Sequence, residues 1–154
     1  MIEPFLTLNV SGLPVSQGSM RTWVHNGHPI ITSASNGLKD WRHLVATQAS
    51  ESMRGRAPIP KRTHAAQVTL TFYMPRPQSG VPRSQRAPRT APDLDKLVRA
   101  VLDALTKIAF EDDSQVTALS AFKWYADDRA PGVVISVEAI EDGVRRPRRG
   151  GALP

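Results

Sequence analysis

A proline-rich break divides this chain more firmly than any other feature of its sequence. The stretch 75–92 contains five prolines and no acidic residue. Proline removes a backbone donor and clashes inside a helix, and it interrupts the interior of a sheet. Neither a long helix nor a central strand can therefore run through this stretch. Loops of this length in compact domains are usually functional or disordered, so we mark the break as a candidate binding segment.

Before the break, the sequence predicts two strands, a hairpin and a helix. Residues 5–10 alternate as a first strand, and an Asn-Gly pair between the short apolar arms of 23–31 predicts a hairpin. Apolar residues at helical spacing predict a helix over 37–53, with Ser35 as its N-cap. The clearest strand covers 68–74, where apolar residues alternate with Thr and Tyr.

After the break, the pattern predicts a second amphipathic helix over 94–107, then an acidic turn and two strands. The strands, 116–125 and 133–140, are expected to form a meander. The whole order indicates an α+β fold, a small mixed or antiparallel sheet with two main helices packed on it. Residues 1–141 are predicted to form one domain, and the basic segment 142–154 a disordered tail.

Composition narrows the function classes. The chain has 154 residues, no cysteine and a net charge of +6, so thiol nucleophiles and zinc–thiolate sites are excluded and an anionic partner is favoured. No apolar run approaches the roughly 20 residues of a membrane span, and the start does not resemble a signal peptide. We therefore expect a cytoplasmic protein that binds nucleic acid and no membrane.

Carboxylates cluster on either side of the second predicted helix. Asp93 follows a proline and is a natural N-cap, which places it beside Asp95 at the start of that helix. Asp112 and Asp113 follow the helix, and they can return only if the strand from 116 runs antiparallel beside the helix start. Such carboxylates favour Mg²⁺ or Mn²⁺ and, beside arginines, phosphodiester hydrolysis. The alternative is that Asp93 is only a cap and the later pair only a solvated turn.

Two motifs at this separation resemble those of the RusA family of Holliday-junction resolvases. They are the D-L-D-K-L run at 93–97 with the helix after it, and the F-E-D-D-S-Q-V run at 110–116. The resemblance implies a RusA-like fold and a homodimeric, Mg²⁺-dependent endonuclease (Mn²⁺ is the expected substitute) that nicks four-way DNA junctions in pairs. It also implies that Asp93, Asp95 and Asp113 are catalytic metal ligands, with Asp112 as a fourth acidic neighbour that we also expect at the metal.

The basic residues near these motifs depart from the family pattern. Arg99 stands where the family has a lysine, and we predict that it is the catalytic cation, with Lys96 and Lys123 as competing candidates. The alternative for Arg99 is an exposed ion pair with Asp95. The residues expected to contact DNA are Arg83, Arg86, Arg89, Lys96 and Lys123. Two other functions stay open: a non-catalytic, basic DNA-binding accessory module, and a less selective nuclease for branched DNA.

Overall fold

The computed structural model describes residues 4–18, 21–25, 27–32 and 36–141. In chain order the elements are β1 Leu6–Ser11, β2 Arg21–His25, β3 His28–Thr32, α1 Asn36–Met53, β4 His64–Met74, α2 Leu94–Leu105, a 3₁₀ turn Asp113–Gln115, β5 Val116–Tyr125 and β6 Gly132–Glu141. The predicted α+β class is confirmed, with two helices packed on a four-stranded mixed sheet. The predicted cap Ser35 and the tail 142–154 lie outside the described residues.

The sheet order is β1-β6-β4-β5, and this corrects one prediction. The last two strands do not form a meander, because β4 lies between them and pairs with both, parallel to β5 and antiparallel to β6. The parallel pair follows from α2, since a helical crossover returns the chain in the same direction as before. The short connection 126–131 then carries the chain past β4 to its other side.

The hydrophobic core lies between the helices and one face of the sheet. Along β4, Val68, Leu70 and Phe72 are fully buried, while the residues between them are partly exposed. The helices cover this face with apolar stripes that include Val45 of α1 and Val101 of α2. Among the described residues, no helix packs on the opposite face, where the alternate residues of β1 are exposed.

The predicted hairpin is confirmed as a separate two-stranded sheet. β2 and β3 pair antiparallel, with Trp23 opposite Ile30, and Gly27 in the turn has a φ of 76°. A positive φ is readily adopted by glycine, which explains its place in a tight turn. Over the described part of the chain, neither helix has the length and apolarity that crossing a membrane requires.

Candidate active site

The first turn of α2 presents two carboxylates to solvent. Asp93 is the N-cap, with φ −69° and ψ 139°, as the sequence predicts, but its side chain makes no capping hydrogen bond. Asp95 lies in the first turn and is exposed, and no described residue pairs with its carboxylate. The positive end of the helix dipole stabilises negative charge here. Both carboxylates are therefore available to a cation from outside the chain.

Two cationic side chains lie on the same helix. The Lys96 ammonium is 3.5 Å from Asp93 Oδ2, and both groups are substantially exposed. Arg99 is exposed one turn beyond Asp95, yet the two form no ion pair in the described structure. The exposed ion pair with Asp95, which was the alternative for Arg99, is thus not formed. The Arg99 guanidinium is accessible to an anionic ligand.

Lys123 connects β5 to the start of α2. Its ammonium donates to the carbonyl of Thr90 at 2.9 Å and to that of Pro92 at 2.8 Å, on either side of a cis Ala91–Pro92 peptide. An ammonium has three donors, so one remains for another acceptor. Lys123 therefore holds the end of the proline-rich break in place just before Asp93. Its predicted contact with DNA stays a prediction.

The acidic turn at the other end of α2 is held by the protein itself. Asp112 Oδ1 accepts from the Ser114 N–H at 2.9 Å, and Oδ2 accepts from Lys61 Nζ at 2.8 Å. Gln115 is 5% exposed; its amide donates to the carbonyls of Ile59 and His64 and accepts from the Asp112 N–H. The Lys61 ammonium, followed by the Ser114 donors, lowers the pKa of Asp112 well below its usual range.

Sequence reasoning missed this network, although a signal was present. Asp112 and Gln115 are three residues apart, which is the spacing of a capping box, and the structure forms both of its bonds. The remaining partner, Lys61, is 51 residues away in sequence and no local pattern indicates it. The metal role that we predict for Asp112 stays a prediction, with both of its oxygens already accepting hydrogen bonds.

The predicted carboxylates do not meet within one chain. β5 does run back beside α2 towards the helix start, but the residue that it brings there is Lys123. Seven residues separate Val116 from Lys123, a distance of about 23 Å along an extended strand. Asp113 is therefore on the order of 20 Å from the start of α2. Among the described residues, no group of three or more His, Asp or Glu side chains is placed to hold a metal ion.

The proline-rich break is an ordered loop organised by Arg76. This guanidinium forms a two-pronged ion pair with Asp127, at 2.7 and 2.8 Å, and donates to the carbonyls of Pro82 and Gln85. The hydrogen bonds from Arg76, and then its charge, lower the pKa of Asp127. Sequence reasoning did not foresee this pair, which joins residues 51 positions apart.

The three arginines predicted to contact DNA differ in how the fold uses them. Arg83 is 80% exposed, with a single long contact of 3.4 Å to Asp127. Arg86 has a carbonyl held by the Tyr125 N–H at 2.9 Å, while its guanidinium makes no hydrogen bond to described residues. Arg89 donates to the Gln85 side chain at 2.8 Å. The loop thus presents guanidiniums to solvent from a fixed backbone.

The first turn of α2 suits a hard divalent cation chemically. Asp93 and Asp95 supply only oxygen donors, as Mg²⁺ prefers, and neither is committed to a structural hydrogen bond. Two carboxylates with several waters are a usual protein contribution to a Mg²⁺ site. The donor set therefore fits Mg²⁺, with further oxygen ligands to come from outside this part of the chain.

Comparison with known proteins shows the family of the chain. The model of the family described as endodeoxyribonuclease RusA matches residues 12–138, which span both motifs, both helices, β4, β5 and most of β6. The uncharacterized protein YqaN of Bacillus subtilis (strain 168) is 30% identical over 141 residues, covering 84% of this chain and 94% of that protein. The chain belongs to the RusA endodeoxyribonuclease family, and this membership implies resolvase activity on Holliday junctions.

Proposed function

We propose that this protein is a Mg²⁺-dependent endodeoxyribonuclease that resolves four-way DNA junctions by paired nicks. The observation that carries the proposal is the pair of carboxylates at the start of α2, Asp93 and Asp95, which have no structural hydrogen bonds. They lie beside an ordered loop that presents Arg83 and Arg86 to solvent. Family membership supplies the reaction class, because the family whose model matches the chain is described as endodeoxyribonuclease RusA.

The side chains divide the work of phosphodiester hydrolysis. Asp93 and Asp95 would hold Mg²⁺, which when bound supplies Lewis-acid stabilisation of the charge that develops on the phosphate. Arg99 is one turn along the same helix and stays protonated at any working pH, so it binds phosphate oxygens and cannot act as a general base. Lys123 keeps the backbone before Asp93 in place through its two carbonyl contacts.

We propose that Asp113 completes the site from a second copy of the chain. Among the described strands, β5 lies at the edge of the sheet with one side unpaired, and Leu119 on its helix-facing side is 48% exposed. Long edge strands with exposed apolar residues favour pairing with another strand. An antiparallel β5–β5 pair about a two-fold axis near Ala118 places each Asp113 opposite the other chain's Lys123, beside its Asp93. The dimer then has two equivalent sites, as paired nicks require.

The decisive test of the activity is cleavage of a synthetic four-way junction with a fixed crossover. We expect symmetric nicks whose products a ligase can seal, in Mg²⁺ or Mn²⁺ but not in EDTA, and no cutting of linear duplex. Asp95→Asn is expected to abolish cleavage while junction binding is kept. Binding without cleavage in either metal would identify a non-catalytic DNA-binding module. Equal cutting of flaps and forks would identify a less selective nuclease.

Mixing two inactive variants tests whether the site is shared between chains. Asp95→Asn and Asp113→Asn are each expected to be inactive alone. In a mixed dimer, one site combines the intact Asp95 of one chain with the intact Asp113 of the other, so nicking of a single strand should return. A site contained in one chain would give no recovery. Sedimentation of the mixture with junction DNA provides the control for dimer formation.

A further inference from the structure

A cleft lies on the face of the sheet that no described helix covers. Lys123 and Trp124 are neighbours on β5, and successive residues of a strand point to opposite faces. Lys123 points towards the start of α2, so Trp124, in register with Tyr73, points to the open face. The indole is 41% exposed and forms one wall of a cleft of about 500 Å³. An exposed tryptophan in the wall of a cleft offers an aromatic surface on which a ligand can stack.

Three arginines line the cleft and outnumber its carboxylates. Arg83, Arg86 and Arg129 line it, together with Asp127 and Asp128. The charge of Asp127 is already compensated by Arg76 outside the lining, through the two short contacts at 2.7 and 2.8 Å. Arg83 also contacts Asp127, at 3.4 Å. With Arg76 included, four guanidiniums stand against two carboxylates, so an anion is favoured over a cation or a neutral ligand.

The walls of the cleft are held in place before any ligand binds. Arg129 stacks on the Tyr73 ring at 3.9 Å and donates to the Asn9 side chain at 2.9 Å. The loop that carries Arg83 and Arg86 is fixed through Arg76 and through the Tyr125 N–H. By contrast, the indole of Trp124 and the guanidinium of Arg86 make no such bonds to described residues. A ligand can therefore bind these two side chains without displacing a hydrogen bond to the described residues.

A flat aromatic surface beside guanidiniums has the chemistry of a nucleotide site. Bases stack on aromatic side chains with about 1–3 kcal/mol per base, whatever the base, and arginine binds phosphate through two parallel hydrogen bonds. A base inside a duplex has both faces covered by its neighbours. The occupant that fits is thus an unpaired nucleotide, which a four-way junction offers when a base pair at its crossover opens.

We propose that this cleft binds one unpaired nucleotide of the DNA substrate, with its base on Trp124 and its phosphate at Arg83 and Arg86. The inference rests on the proposed function for the identity of the substrate as DNA. Lys123 and Trp124 are adjacent, so the cleft and the carboxylates of α2 lie on either side of the same strand end. A strand that leaves the cleavage site around this end reaches the cleft within a few nucleotides.

Binding of a single-stranded oligonucleotide tests the cleft without relying on cleavage. The full chain, carrying Asp95→Asn and kept without divalent metal, is titrated into a fluorescent oligothymidylate and an abasic deoxyribose-phosphate chain of equal length. We expect Trp124→Ala to weaken oligothymidylate binding by about 5- to 150-fold, the loss of one base stack. Trp124→Phe should retain most of the affinity. On the abasic chain, Trp124→Ala should bind as the parent does.

Two further variants separate stacking from general charge. Phe122→Ala is the matched control, because Phe122 is 45% exposed on the same strand and the same face but does not line the cleft. It should leave both affinities unchanged. Arg86→Ala should weaken both ligands and reduce the salt dependence by about one phosphate contact.

The outcomes distinguish this proposal from the proposed function. If Trp124→Ala binds oligothymidylate as tightly as the parent, or weakens the abasic chain equally, the cleft is not a nucleotide site, even when the protein cleaves junctions normally. If the stacking signature appears but no junction is cut in Mg²⁺ or Mn²⁺, the cleft stands and the nuclease proposal fails.

Discussion

The two ends of α2 carry carboxylates in opposite situations. At the acidic turn, Asp112 accepts from Ser114 and Lys61, and the main chain of Lys61 donates to Glu111 at 2.7 Å. At the helix start, Asp93 makes no capping bond and Asp95 has no partner among the described residues. A carboxylate satisfied by protein donors stabilises the fold, whereas one left to solvent is available to a cation. Aspartates thus have two roles in this chain, fold stabilisation and availability to a cation, and the hydrogen-bond partners around each one decide which role it has.

The largest expected effect concerns the carboxylates themselves. Asp95→Asn should lower the rate of Mg²⁺-dependent junction cleavage by about 10³-fold or more, since loss of a metal ligand removes several kcal/mol of stabilisation. Asp112→Asn, the matched change at the other end, should lower the melting temperature. Its cleavage rate tests the metal role predicted for Asp112, and a loss of no more than a few-fold would exclude that role. Single-turnover cleavage and thermal unfolding measure the two effects. Equal losses of rate in both variants would mean that the carboxylates at the two ends of α2 do not differ in role.

Substitutions of Arg99 test whether the start of α2 is a catalytic site. Arg99→Ala should slow single-turnover cleavage by about 10²-fold, the scale for removing one preorganised charge donor. Arg99→Lys should retain more activity, because it keeps the positive charge. Lys39→Ala, which removes an exposed cation from α1, is the control and should cleave normally. A near-normal Arg99→Ala together with an inactive Lys96→Ala would move the catalytic cation to Lys96.

Gln115 tests the structural role of the acidic turn. Gln115→Met should lower the free energy of unfolding by about 2 kcal/mol, because the carbonyls of Ile59 and His64 lose a buried donor. Urea unfolding of the two proteins measures the change. Thr117→Ala, at an exposed position two residues along, should unfold as the parent does. An unchanged midpoint for Gln115→Met would mean that the turn is not held through this amide.

The smallest expected effect is a pH dependence at the same turn. The Lys61 hydrogen bond lowers the pKa of Asp112, so the folded chain binds this proton more weakly than the unfolded chain. The stability that results is present above about pH 4 and is lost progressively as the pH falls below it. Lys61→Met should therefore melt below the parent at pH 6, with the gap narrowing by pH 3. A gap that is constant with pH would assign the effect of Lys61 to packing.

Local sequence patterns predicted the elements well where the residues themselves restrict the backbone conformation or mark a buried face. The prolines of the break, the Asn-Gly turn and the apolar stripe of α2 each act on their immediate neighbours, and the structure has the expected element at each place. The cap position of Asp93 followed from the same reasoning. The pairing of strands was harder to predict from the sequence. The strand that separates β5 from β6 is β4, which precedes the proline-rich break.

The sequence by itself determined the class of fold, the family, and which carboxylates and arginines are candidates for chemistry. Those features depend on residue type and on the spacing of residues close together in the sequence, which are the same in every conformation of the chain. Only the tertiary structure decided that the start of α2 meets Lys123 and not Asp113, that Asp112 is held by Lys61, and that Arg76 is paired with Asp127. These contacts join residues tens of positions apart. They arise from the packing of helices on the sheet, for which no local period exists.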